Sequence, residues 1–204
     1  MSGEIPPPLP PPPRPRRWGR RIGIAAAVVG AVGLLGFVAL IALRVAGLIA
    51  FYRLPTASMA PAINRDDNIC VEGITYLRRP PARGEIIAFK SDGLPDTTPG
   101  EKYVKRVVGL PGEQLRITGG TLYVNDEPVS LRNKDGEIRY TNTVGLHLRR
   151  EDKTFVVPAD SYFVLGDNSP NSADSRVWGA IPARAVAGRV VFCYLPAADA
   201  GRIR

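Results

Sequence analysis

The strongest constraint in this sequence is an apolar run at residues 22–43 that contains neither a charged residue nor a proline. At about 1.5 Å per helical residue the run spans roughly 33 Å, which exceeds the ~30 Å hydrocarbon core of a bilayer. Arg44 follows and can extend its side chain to the far interface, and residues 45–52 are apolar again. We therefore predict a single transmembrane anchor helix over residues 22–52, with a folded domain at residues 53–204.

The arginines around this run predict its orientation. Five of them lie before it, between residues 14 and 21, and few basic residues follow it directly. Because positively charged flanks tend to stay in the cytoplasm, we expect residues 1–21 there and residues 53–204 on the extracytoplasmic side of the cell (inner or plasma) membrane. A cleavable signal peptide is the alternative, but its apolar core usually has only about 7–15 residues.

The first 21 residues are expected to form a tail outside the folded part. Residues 5–15 read IPPPLPPPPRP, a composition that favours extended polyproline II and buries no core. We predict a disordered cytoplasmic tail, with a ligand for an SH3-like or WW-like domain as the alternative.

The basic charge of the chain is concentrated beside the anchor. The net charge is +8, and residues 1–52 carry six arginines against one glutamate. Residues 53–204 hold 21 Lys and Arg against 18 Asp and Glu, without a basic run interleaved with aromatic residues. The pattern predicts contact with a lipid bilayer and argues against nucleic-acid binding.

Histidine and cysteine are too scarce for a structural metal site. The chain has one histidine, His147, and two widely separated cysteines, Cys70 and Cys193, each in an apolar run. Because structural zinc sites use four such ligands, we expect no metal and no cofactor. We expect buried free thiols, although a disulfide stays open because the sequence gives no distance between the two sulfur atoms.

Residues 53–204 have the pattern of a mainly β domain. Short apolar segments alternate with Gly, Pro, Asn and Asp, and no helical periodicity is sustained. Gly119 and Gly120 predict a two-residue hairpin turn. The polar stretch 125–153 predicts a peripheral excursion outside the core. The expected strands are 69–77, 85–90, 102–110, 114–118, 121–124, 155–157, 162–165 and 189–194.

A serine in a short turn is the first candidate for chemistry. Ser58 lies between Pro55 and Pro61, which disfavour continuation of a helix, so it is either an ordinary turn residue or a presented nucleophile. A nucleophilic hydroxyl needs a base. His147 is one candidate, but no Gly-x-Ser-x-Gly motif surrounds Ser58, and a surface histidine is the simpler interpretation.

Lysine is the other candidate for a base. Its free pKa of about 10.4 keeps it protonated at neutral pH, and burial in apolar surroundings lowers that pKa. Lys105 lies in the apolar strand YVKRVVG (103–109). It shares one strand face with Tyr103 and Val107, whereas Arg106 lies on the opposite face. The alternation alone leaves open which face is buried.

Four stretches together resemble the conserved boxes of type I signal peptidases (leader peptidases), the membrane-anchored serine proteases that remove signal peptides. They occur in the family's order behind a family-like anchor, and together they are far more specific than any one of them. The resemblance implies an all-β catalytic domain whose core is formed by 53–112 and 158–204, with a smaller inserted β subdomain at 113–157. The stretches are PTASMAP (55–61), RGEIIAF (83–89), YVKRVVGLPGE (103–113) and GDNSPNSADSRVWG (166–179).

The resemblance also implies roles for individual residues. Ser58 would be the nucleophile and Lys105 the general base of a Ser–Lys dyad. Thr56 would lend its hydroxyl to an oxyanion hole together with the Ser58 backbone N–H. Three further residues would support the dyad: Ser172 by a hydrogen bond to the Lys105 amine, and Asp174 and Arg176 as an ion pair behind the site.

The chain departs from the family pattern away from the dyad. Ser169-Pro170 stands where many members carry Arg-Asp, and Glu85 and Glu113 replace a more usual Asp. The family binds substrate against a strand edge with pockets for small side chains. From their positions near the boxes, the candidate pocket residues are Leu54, Ile86 and Val104, with Met59 on the membrane-facing rim or in the core.

The predicted function is therefore cleavage of N-terminal signal peptides from exported preproteins, with contact to the secretion translocon as a further expected partnership. One alternative is a peptidase dedicated to a single exported substrate, as in conjugation. Others are a non-catalytic β domain that binds preproteins and, least supported, a self-cleaving Ser–Lys protein of the repressor type.

Overall fold

The computed structural model describes residues 18–95, 97–142, 145–148, 150 and 153–203. The expectations for residues 1–17, including the proline-rich tail, fall outside these residues. The described chain has a long helix, α1 (Trp18–Val45), followed by strands and a short helix, α2 (Ser175–Trp178), so the mainly β prediction is confirmed. The strands are β1 (Ile49–Arg53), β2 (Asn68–Glu72), β3 (Ile86–Lys90), β4 (Lys102–Gly109), β5 (Gln114–Thr118), β6 (Thr121–Val124), β7 (Glu127–Val129), β8 (Arg132–Asn133), β9 (Gly136–Glu137), β10 (Phe155–Val156), β11 (Ser161–Leu165), β12 (Ile181–Pro182), β13 (Val186–Leu195) and β14 (Gly201–Arg202).

Helix α1 has the length and composition of a membrane span. Residues Arg21–Val45 reach a mean hydropathy of 2.7, and within the described residues this is the one helix that meets both requirements. Its large apolar side chains are exposed, for example Val29 and Leu35. Such a surface is unfavourable in water and suited to lipid, which indicates a membrane-anchored protein.

The helix ends earlier than the sequence predicts, so the expectation of a helix through residue 52 is wrong. Gly47 adopts a φ of 71°. Its N–H donates to the Arg44 carbonyl, and the Leu48 N–H donates to the Leu43 carbonyl. This is a Schellman arrangement, in which a left-handed glycine stops a helix. Residues Ile49–Arg53 then become β1 and pair with β2, because the chain has turned into the sheet.

The main sheet has the order β1-β2-β13-β3-β4-β11-β12, with β14 also paired to β13. A second sheet has the order β10-β5-β6-β7, and β8 pairs with β9. The β5–β6 hairpin turns at Gly119 and Gly120, both at positive φ, which confirms the predicted two-residue turn. The strand expected over residues 69–77 ends at Glu72, since its carboxylate accepts hydrogen bonds from the Thr75 N–H and hydroxyl at the start of a 3₁₀ turn.

The prediction that the stretch 125–153 lies outside the core is wrong. Ile138, Tyr140 and Leu148 are buried in one apolar cluster with strands β5 and β6 and with Phe163 of β11. Because the few apolar residues of this polar stretch are widely spaced, no short window shows the pattern of a buried strand. Residues 43–204 form one compact unit, and the division into a catalytic core and an inserted subdomain stays a prediction.

Candidate active site

Ser58 lies at the start of a turn whose neighbouring apolar side chains are buried in the protein core. The turn follows β1, and the Ala60 N–H donates to the Ala57 carbonyl. Met59 and Ile63 are fully buried in the cluster under the main sheet, and Leu54 is buried there too. This packing fixes the backbone on both sides of Ser58, so the hydroxyl is held in place and not left on a mobile loop.

Strand β4 brings Lys105 to this turn. Its Nζ lies 2.8 Å from Ser58 Oγ and 3.1 Å from the Val104 carbonyl oxygen. Lys105 is 3% exposed and Ser58 6% exposed. The alternation of β4 left open which face is buried; residues 104–108 are in fact buried on both faces. The structure thus joins the two residues that the sequence separates by 47 positions.

Burial makes the Lys105 amine a much weaker base than a free lysine. The pKa of Lys105 is lowered from 10.5 to about 8, chiefly by removal from water, and the nearby Arg176 charge acts in the same direction. The carboxylates of Asp174 and Asp167 act in the opposite direction. Because burial is the largest of these effects, a substantial share of the amine is neutral near pH 8 and can accept a proton.

Thr56 stands on the solvent side of the same turn. Its Oγ1 lies 3.2 Å from Ser58 Oγ. The Ser58 backbone N–H has no hydrogen-bond partner among the described residues, so a donor is available beside the hydroxyl. Both groups can donate a hydrogen bond beside the Ser58 hydroxyl.

Asp174 and Arg176 form the expected ion pair, and both side chains are fully buried. Arg176 Nε and Nη2 lie 2.8 Å and 2.7 Å from the two Asp174 oxygens. The Gly166 N–H donates to the same carboxylate at 3.0 Å, and Arg176 also donates to Ser169 Oγ at 2.7 Å. Ser169 therefore supports the buried arginine at a position where the sequence comparison only indicated a lost salt bridge.

The hydrogen bond expected between Ser172 and Lys105 is not formed. Ser172 Oγ is buried and has no partner among the described residues. Instead it packs against Gly166, where an added Cβ would lie 2.2 Å from Ser172 Oγ and 2.5 Å from the Ser58 carbonyl oxygen. The absence of a side chain at Gly166 allows the Ser58 turn and the Ser172 segment to approach each other.

Two contacts that hold the site were missed by the sequence reasoning. Arg106 and Asp167 form a buried bidentate pair with distances of 2.7 Å for both bonds. The next residue, Asn168, donates its backbone N–H to the Ser58 carbonyl and its side-chain amide to the Ala57 carbonyl, each at 3.1 Å. The alternation of Lys105 and Arg106 was a usable signal, because two adjacent buried cations require two separate arrangements.

A cleft of about 220 Å³ opens above Ser58 and Lys105. Of the predicted pocket residues, Leu54 and Val104 line it. Ile86 does not; it is buried in the apolar cluster beneath. Met59 is fully buried in the same cluster, which agrees with the core alternative for this residue. The sequence could not separate Ile86 from the other two pocket candidates, since all three lie in or near the same motifs.

The remaining sequence candidates lie elsewhere in the fold. The His147 ring packs edge-on against Phe155, with ring centroids 5.1 Å apart, and no contact with Ser58 is formed. Cys70 and Cys193 lie on paired strands as free thiols. Burial raises the pKa of both thiols, so they resist ionisation. Within the described residues no group of His, Cys, Asp and Glu could hold a metal ion.

Comparison with known proteins finds one matching family model and several similar proteins. A family model described as signal peptidase, peptidase S26, matches residues 19–195. Signal peptidase I of Leptolyngbya laminosa is 33% identical over 207 residues, covering 100% of this chain and 97% of that protein. A probable signal peptidase I-2 of Synechocystis is 34% identical, covering 87% and 73%. Signal peptidase IB of Staphylococcus aureus is 33% identical, covering 71% and 77%.

Solved structures match as well. A signal peptidase I crystal structure from Enterococcus faecalis V583 has 32% sequence identity and a TM-score of 0.41, covering 54% of this chain and 97% of that chain.

Proposed function

This chain belongs to the peptidase S26 family of signal peptidases, and from that premise we propose that it cleaves preproteins with Ser58 as the nucleophile and Lys105 as the general base. The enzyme is a signal peptidase, a serine peptidase whose substrates are the signal peptides of preproteins. The observation that most supports the residue roles is the 2.8 Å contact between the buried Lys105 amine and Ser58 Oγ.

The proposed acylation step follows from these contacts. The neutral Lys105 amine accepts the proton of Ser58 Oγ as that oxygen attacks the scissile carbonyl carbon. The carbonyl oxygen becomes an oxyanion, which the Ser58 N–H and the Thr56 hydroxyl stabilise by donating hydrogen bonds. Lys105 then gives its proton to the leaving amine, and the C–N bond breaks. An acyl-enzyme on Ser58 remains.

Deacylation uses the same groups with water in place of Ser58 as the attacking nucleophile. The neutral Lys105 amine accepts a proton from the water molecule that attacks the acyl carbon. The protonated amine then gives that proton to Ser58 Oγ as the ester C–O bond breaks. Asp174 and Arg176 act together on the basicity of the Lys105 amine. Their opposite charges offset each other at Lys105, so the amine stays less basic than it would beside Asp174 alone. Ser172 supports the site by packing at Gly166, and the proposal needs no direct bond from it to Lys105.

The anchor gives this chemistry its location. We infer that α1 crosses the membrane with its N-terminal end in the cytoplasm and the β domain on the extracytoplasmic side, because five arginines precede the apolar run. Ser58 lies only 13 residues after Val45, the last residue of the span. A preprotein that emerges from the bilayer or the secretion translocon is therefore within reach of the Ser58 hydroxyl. Protease added outside spheroplasts should digest residues 53–204; their protection would reverse this orientation.

Cleavage of a model preprotein by the full-length chain in detergent tests the dyad. Ser58→Ala and Lys105→Ala should each lower kcat by at least about 10³-fold, because neither group works without the other. Ser130→Ala and Lys153→Ala, at exposed positions, are matched controls and should cleave normally. Full activity of either dyad variant, with the product sequenced at the same cut, would refute the proposed roles.

A further inference from the structure

A basic pocket lies in the same unit as the active site but is a separate cavity. Its volume is about 620 Å³, and it shares Lys102 with the cleft above Ser58. The charged side chains that line it are Arg44, Lys90, Lys102 and Arg184, and no acidic residue of the described chain is among its lining. Four cations around one cavity are an unusual arrangement for a domain whose net charge is small.

The fold brings these cations together against their mutual repulsion. Lys90 of β3 and Lys102 of β4 stand directly opposite each other in the antiparallel register, an arrangement that is destabilising for like charges. Arg184 lies just before β13, whose first residue, Val186, pairs with Phe89 of β3. This pairing brings Arg184 to the same cavity as Lys90. None of Lys90, Lys102 and Arg184 has a salt bridge to an acidic residue in the described part of the chain.

Aromatic rings orient two of the cations without neutralising them. The Lys102 amine donates to the Tyr52 hydroxyl at 2.8 Å and lies 4.7 Å from the centre of that ring. The Arg44 guanidinium lies 5.6 Å from the centre of the Phe51 ring. Both cations are therefore held at the cavity with their charge available to an anion.

The position of the pocket along the chain identifies the anion. Arg44 belongs to the last turn of α1, and Gly47 and residues 49–52 line the pocket directly after the span. The chain leaves the hydrocarbon core at this point, where lipid phosphates lie, and Phe51 is 40% exposed beside the charges. We propose that this pocket binds the headgroup phosphate of an anionic phospholipid.

The bound headgroup neutralises the opposed lysines at the edge of the substrate cleft. Lys102 lies on β4, the strand that also carries Lys105, so the occupant fixes the start of that strand. The inference rests on membrane anchoring and not on the Ser58–Lys105 chemistry. A Ser58→Ala variant therefore should keep its lipid preference although it cleaves nothing, so the two proposals fail separately.

Titration of the full-length chain in non-ionic detergent with short-chain lipids tests the pocket. The probes are dihexanoyl phosphatidylglycerol, dihexanoyl phosphatidylcholine and inorganic phosphate, with binding measured by calorimetry. The anionic lipid should bind at least tenfold more tightly than either other probe. Lys90→Gln with Arg184→Gln should weaken it roughly 30-fold, following the usual contribution of each cation near a lipid surface.

A matched double variant controls for net charge. Arg78→Gln with Lys153→Gln removes the same charge at exposed positions outside the pocket and should leave the lipid preference unchanged. Equal binding of the two lipids, or an unchanged preference in the pocket variant, would overturn the proposal. Inorganic phosphate that binds as tightly as phosphatidylglycerol would also overturn it, because the site would then be one for small anions.

Discussion

Replacing Lys105 by methionine should make the protein more stable at neutral pH while removing its proposed base. Lys105 is 3% exposed, and burial lowers its pKa from 10.5 to about 8. Each pKa unit corresponds to about 1.36 kcal/mol of difference between the two protonation states. The protonated amine therefore destabilises the folded state by roughly 3 kcal/mol at pH values well below 8.

The pH dependence distinguishes this effect from a change in packing. The pKa of Lys105 is lower in the folded state than in the unfolded chain, so between about pH 8 and 10.5 the unfolded chain binds more protons. The stability of the unmodified protein consequently rises with pH across this window. Below it the penalty is fully present, and above it the penalty vanishes because both states are neutral.

Urea unfolding of the full-length chain in non-ionic detergent measures this difference. The free energy of unfolding of Lys105→Met minus that of the unmodified protein should fall by about 3 kcal/mol between pH 6.5 and pH 10.5. A difference between the two pH values removes any offset from lost hydrogen bonds. Lys153→Met, at an exposed lysine, should show no such change. A Lys105→Met difference that stays constant with pH would refute the buried-amine reasoning.

Three further substitutions test the packing around the site. Gly166→Ala places a Cβ 2.2 Å from Ser172 Oγ, so cleavage and melting temperature should both fall. Asp167→Asn removes the carboxylate charge paired with the buried Arg106 guanidinium, and denaturant unfolding should show a loss of about 3–5 kcal/mol. Tyr140→Phe removes a buried hydroxyl that has no hydrogen-bond partner in the described structure. The same assay should therefore show unchanged stability or a gain of about 1 kcal/mol. A loss of more than about 1 kcal/mol would contradict the absence of a hydrogen bond to this hydroxyl.

Much of the site could be predicted because its chemistry constrains the sequence. A buried lysine in an apolar strand is costly unless its amine is used, which made Lys105 a candidate base, although the alternation of the strand did not show that it is buried. The contact with Ser58 followed only from the motif resemblance, since no rule of local sequence brings β4 to the turn after β1. The ion pair of Asp174 and Arg176 could likewise be predicted only from the motif resemblance.

Other features depend on tertiary contacts that sequence patterns do not report. Gly47 ends α1 through a left-handed backbone, but an isolated glycine in an apolar run resembles the other glycines of the span. Tyr140 is buried although its neighbours are polar, because distant strands cover it. The unbonded Ser172 hydroxyl could not be foreseen either, since the motif predicts proximity to Lys105 but not the direction of a hydroxyl.

The pH dependence of kcat/KM for preprotein cleavage tests the Ser58–Lys105 account most directly, because it reports the pKa of the essential base in the free enzyme. With a Lys105 pKa of about 8, the account predicts that kcat/KM rises roughly 50-fold between pH 6 and pH 8 and then levels off. A profile that levels off near pH 6.5, as for an unperturbed histidine, or that does not change between pH 6 and pH 9, would contradict the assignment of Lys105 as the base.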